Sequence, residues 1–150
     1  MIQRIQSLYL LAVTIAAVVM MSAPIGHFVT PSKQIFEMGT LLIADAAGNP
    51  VNYEPWPLFV LLQAVAILSL VTIFLFKNRL LQIRLTVIST VLLLVYCLAA
   101  FTYVFTLKGE SVFVPAWTVC LPPIGIILNW MAIRGIRKDD NLVKSYDRLR

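Results

Sequence analysis

The side chains that most often do chemistry are few in this chain and stand far apart. There is one histidine, His27, and there are two cysteines, Cys97 and Cys120. A zinc centre needs three or four ligands, and Glu37, Asp45 and Glu54 share no tight spacing with His27. His27 therefore reads as an interfacial histidine. A thiol oxidoreductase uses a CxxC pair; here the thiols lie in separate apolar stretches, at similar depth on either side of a turn at Gly109, and read as reduced packing residues. Ser, Thr and Tyr are scattered with no histidine base near them, which speaks against Ser-His catalysis. No carboxylate falls inside an apolar stretch, which weighs against an ion-coupled pump. Gln63 and Asn129 are the most polar side chains inside those stretches, and their expected role is to bond neighbouring helices. The expectation is a protein with no enzymatic activity, no cofactor and no metal.

The elements that position these residues follow from charge segregation. Of 150 residues, 60% are hydrophobic and 13% charged, against about 25% charged in a soluble domain; mean hydropathy is +0.88. Residues 55–76, 85–107 and 111–133 carry no charge, and an apolar run extends from Leu8 to Ile25. Roughly 20 helical residues cross a hydrocarbon core about 30 Å thick, and backbone groups in lipid must pair within their own segment. The sequence predicts an all-α membrane protein: one domain over residues 1–150, with four transmembrane helices in an antiparallel bundle. The spans are expected at 7–26, 56–76, 85–107 and 112–133. The first is too long for the 7–15-residue core of a cleaved signal peptide, so it is read as a retained helix.

The outer loop, 27–55, holds a β-compatible run over 34–44, a turn cluster from Asp45 to Pro50, and alternation over 51–54. This predicts a small β-hairpin resting on the helix ends. Pro55-Trp56-Pro57 opens the second helix, and Lys108-Gly109-Glu110 makes a tight turn. Pro122-Pro123 predicts a kink in the fourth helix near Thr118 and Val119. In the tail, 134–150, Leu142, Val143, Tyr146 and Leu149 share one face, which predicts a short amphipathic helix on the inner membrane surface.

Basic residues set the orientation. All of the 12 Lys and Arg residues except Lys33 and Lys108 fall on the side that holds both termini, and such loops stay cytoplasmic. The basic balance, net +5, is thus a topology signal and implies no nucleic-acid partner. It also gathers candidate interaction residues on one face: Arg4, Arg79, Arg84, Asn129, Arg134, Arg137, Lys138, Leu142, Tyr146 and Leu149. Their expected partners are membrane lipids, chiefly anionic headgroups, with Asn129 beside Trp130 and Arg134 as one contact.

The opening MIQRIQSLYLL, the inner loop KNRLLQIRL and the close NWMAIRGIRKDDNLVKSYDRLR resemble an uncharacterised family of bacterial four-helix membrane proteins, domain of unknown function 4293. The likeness runs end to end. It implies a multi-pass protein of the Gram-negative inner membrane with this topology, and it brings no catalytic residue. The leading functional expectation is a non-enzymatic component that docks a membrane protein partner or organises an envelope complex. The alternative is a small transporter or lipid-handling protein that works through the kinked fourth helix.

Overall fold

A computed structural model describes residues 2–75 and 78–148, with side chains over 5–75 and 78–138. The chain is mostly helical. Four helices are long and apolar enough to cross a membrane: α1 (Ile2–Ser22), α2 (Trp56–Phe74), α3 (Arg79–Lys108) and α4 (Leu121–Arg148). Five short strands accompany them: β1 (Gly26–Val29), β2 (Ile35–Met38), β3 (Ile43–Asp45), β4 (Pro50–Asn52) and β5 (Val112–Pro115).

Each helix lies against two others: α1 and α3 both touch α2 and α4. Particular contacts give the directions. Ser69 meets Ser89 between α2 and α3, while Gln82 near the start of α3 reaches Thr72 near the end of α2. Leu93 faces Gly125 and Ser89 faces Asn129, so α3 and α4 run antiparallel. Gln6 meets Gly135 and Thr118 bonds Pro24, so α1 and the α4 arm do too.

Every helix buries a seam with alternating steps of three and four residues. The seams run Gln6, Leu10, Val13, Ala17, Met20 in α1; Leu58, Leu62, Val65, Ser69, Thr72 in α2; Gln82, Thr86, Ser89, Leu93, Tyr96 in α3; and Pro122, Gly125, Asn129, Ala132, Ile136 in α4. That spacing is what a helix needs to keep one stripe facing its neighbours. The opposite faces are exposed and apolar, as at Leu8, Ile15, Val60, Ile67, Leu98 and Ile127. A water-soluble surface helix carries charged and polar residues on that outer face.

The strands form one antiparallel sheet, ordered β4-β3-β2-β1-β5. Phe28, Met38 and Ile43 of the sheet join the same buried core as Met20, Leu58 and Leu62 of the helices. Ala116 N–H donates to Ile25 O at 2.9 Å, and the Thr118 hydroxyl donates to Pro24 O. The sheet is therefore tied to the ends of α1 and α4. Pro50 and Pro115 stand in β4 and β5, the two edge strands, where a missing amide costs no ladder bond.

Several expectations need correction. The hairpin turn at Asp45–Pro50 is present: Gly48 at φ 81° donates to Asp45 O at 2.7 Å. The hairpin is part of a larger sheet, however, because 34–44 breaks into β2 and β3 around a turn, and β1 and β5 flank them. The first helix ends at Ser22, short of the expected 26, with Gly26 already in β1. The fourth span does not begin as a helix at 112: β5 and a 3-10 turn at Trp117–Cys120 come first. Pro122 and Pro123 then fall in the first turn of α4, where no intrahelical amide is lost. They stand at the start of the helix, so the interior position that the expected kink requires is not theirs. Finally, no separate tail helix forms, because α4 runs unbroken from Leu121 to Arg148.

Candidate functional site

The helix directions bring the start of α1, the end of α2, the start of α3 and the end of α4 to one pole. The join between α1 and α4 is tight there: a Cβ on Gly135 would lie 3.1 Å from Gln6 Cγ. Arg84, Arg134, Arg137 and Lys138 are exposed at this pole, and Arg79 is half-buried. The Arg134 guanidinium sits 5.5 Å from the centre of the Trp130 ring, a cation–π distance that ties an exposed aromatic to a cation. Arg4 lies in the first turns of α1, and Leu142 and Tyr146 lie in the last turns of α4. The side chains of those three, and the whole of Leu149, lie outside the described residues.

Above this cationic pole the interior is polar. Asn129, fully buried, donates from Nδ2 to Ser89 Oγ at 3.3 Å, and Ser89 Oγ lies 3.5 Å from Ser69 Oγ. Gln82 Nε2 donates to Thr72 O at 3.3 Å. Thr72 and Thr86 donate back to Leu68 O and Gln82 O, at 2.6 and 2.8 Å, which keeps both hydroxyls satisfied inside their own helices. Three buried side-chain atoms have no hydrogen-bond partner among the described residues: Gln6 Nε2 and Asn129 Oδ1 in this interior, and His27 Nδ1 in the sheet. Asn129 thus bonds a neighbouring helix, the first of its two expected roles; fully buried, it presents no surface for the second, a headgroup contact beside Trp130 and Arg134. Gln63 does not fill the interhelical role: it stands on the exposed side of α2, off the seam of Leu62 and Val65.

The opposite pole carries the sheet. His27 pairs across strands with Glu37 and Val114, and its Nδ1 lies 4.0 Å from Glu37 Oε1. Among the described residues, no three His, Cys, Asp or Glu side chains cluster as metal ligands. Cys97 and Cys120 are free thiols. A cavity of about 500 Å³ opens beside Cys97, between α3, β5 and the start of α4.

Comparison with known proteins bears on the whole chain. A family model described as "Domain of unknown function (DUF4293)" matches residues 2–149. The chain belongs to the DUF4293 family. No curated protein matches it. Membership extends over all four apolar helices and over both poles of this DUF4293 protein, so the sheet and the cationic end are parts of one family unit.

Two features of this DUF4293 chain escaped a reading by hydropathy. The polar seam was present in the sequence as Gln82, Thr86 and Ser89 at spacings of four and three, opposite Ser69, Thr72 and Asn129. Small polar residues at that period inside an apolar run are the signal. The cavity had no such signal, because it depends on where α4 begins.

Proposed function

We propose that this protein is a multi-pass component of the bacterial inner membrane with both termini cytoplasmic. Its four helices form an antiparallel bundle in the bilayer. It is non-enzymatic and docks a membrane protein partner, or organises an envelope complex, through the sheet on its outer pole. Basic side chains at the inner pole, Arg79, Arg84, Arg134, Arg137 and Lys138 among them, meet anionic headgroups at about 1 kcal/mol each. Arg4, Leu142, Tyr146 and Leu149 belong to the same proposed face.

Insertion is supported by the outward faces: Leu, Ile, Val and Phe are exposed there, while the seams mix Leu, Val, Ala and Met with Gln, Ser, Thr and Asn. Lipid solvates the outer faces, and the inner polar groups pair across helices. Trp56 and Trp117 are exposed near the outer helix ends, and Trp130 near the inner, which suits the two headgroup belts.

The observation that carries the docking role is the outward face of the sheet. Strand alternation and the registers place Val112, Val29 and Ile35 in one row, with Val114, His27, Glu37 and Ala44 in the next. Val112 and Ile35 are 62% and 47% exposed. A rigid sheet that shows an apolar row beside a polar one offers a core and rim for a partner. Extraction of native membranes in mild detergent should yield a complex of fixed stoichiometry. Ile35→Asp with Val112→Asp should dissolve it and leave the protein inserted and folded. A complex that survives the double substitution removes the sheet face from the proposal.

A further inference from the structure

A second candidate surface is the cavity between α3, β5 and the start of α4, beside the bonds that attach the sheet. We propose that it seats one acyl chain of an anionic lipid from the outer leaflet. The seat requires the membrane insertion proposed above, and it adds a ligand that the docking role does not supply.

Its origin lies in the late start of α4. Gly125 faces Leu93 so closely that an added Cβ would lie 3.2 Å from Leu93 Cδ1. From that level outward, α3 continues to Lys108, whereas α4 extends only one turn further, to Leu121. A 3-10 turn and β5 take its place, and neither fills the volume of a helix. The result is the groove of about 500 Å³ along α3.

The groove has the dimensions and chemistry of one lipid chain. On α3 its wall is Tyr96, Ala100, Val104 and Lys108, four residues apart in turn. At 1.5 Å per residue this stripe is about 18 Å long, one leaflet of a hydrocarbon core about 30 Å thick plus the start of its headgroup layer. The floor is apolar, with Met20, Ile25 and Phe113. Close packing of Leu93 on Gly125 stops the groove near mid-membrane, so it admits a chain from one leaflet only. The sole cation on its wall is Lys108, at the outer end, and no carboxylate pairs with it among the described residues. An apolar slot with a cation at its mouth matches a hydrocarbon tail under an anionic head. A zwitterionic head gains less from Lys108.

Tryptophan quenching by brominated acyl chains tests this in vesicles. Trp56, Trp117 and Trp130 are replaced by Phe, and one reporter is placed in the groove, Phe101→Trp, or on the far side of α3, Val95→Trp. Vesicles of phosphatidylcholine carry a minor fraction of brominated phosphatidylglycerol or brominated phosphatidylcholine. The groove reporter should be quenched with about fivefold preference for the glycerol lipid, the weight of one basic residue at a membrane surface. The far reporter should show no preference. Lys108→Glu should abolish the preference. Ala100→Phe, or Val104→Phe, should reduce groove quenching towards the far-side level while Val95→Trp reports an unchanged fold. Equal quenching by both lipids overturns the proposal, as does quenching unaffected by the filling substitutions. A groove reporter shielded from every lipid while the far reporter is quenched overturns it too, because the groove then holds a second copy of the chain. If neither reporter is quenched, membrane insertion itself fails.

Discussion

Asn129 is the clearest case of a single side chain holding helices together. One of its two polar ends bonds Ser89 across the α3–α4 interface, and the other, Oδ1, is buried without a partner among the described residues. Interhelical bonds inside a bilayer are worth modest amounts, because the separated helices find other partners. A double-mutant cycle between Asn129→Ala and Ser89→Ala, read by reversible unfolding in bicelles, should give a coupling of about 0.6 kcal/mol. Strict additivity would mean that the bond contributes nothing. Asn129→Leu should cost less than Asn129→Ala, because it removes the unpaired acceptor and leaves no cavity.

Among the elements, β1 has the least room to vary. A Cβ on Gly26 would lie 2.4 Å from Phe113 Cζ and 2.7 Å from Val114 O. The ring can swing away, but the carbonyl belongs to the strand that β1 pairs with. Gly26→Ala should therefore destabilise the protein by about 1–3 kcal/mol, visible as a lower thermal midpoint and faster cleavage of the outer segment. Adding Phe113→Leu should restore only part of the loss, and full rescue would show that the backbone contact is harmless.

The same strands mark where the sequence stopped being legible. The turn at Asp45–Pro50 was readable because Asp, Gly, Asn and Pro each favour it for a local reason. The apolar helices were readable from uncharged length. β1 and β5 were not: Gly-His-Phe-Val and Val-Phe-Val-Pro abut apolar runs, so hydropathy merges them into the neighbouring spans. Their partnership joins Gly26 to Pro115, a pairing with no local trace. Pro122-Pro123 misled for a related reason: a kink requires an α-helix before the prolines, and none directly precedes them. At the cationic pole the basic residues were legible, whereas the Gln6–Gly135 approach beneath them was not.

For the whole molecule, the decisive measurement is sidedness. Single cysteines introduced at Asn49 and Gly109, in a background with Cys97→Ala and Cys120→Ala, should react with an impermeant thiol reagent added outside. Cysteines at Asn78 and Asn141 should not. The reverse pattern would overturn the assignment of the cationic pole to the cytoplasm. Sidedness also gives the sheet a history. β1 to β4 leave the ribosome between the first two helices, but β5 follows the third. During synthesis the sheet thus waits one strand short, with the flank of β1 that pairs with β5 still bare. Closure comes only after α3 has been made. Under the proposed insertion that unfinished edge would make the order of synthesis testable: a chain truncated before β5 should leave the flank of β1 unpaired and open to protease.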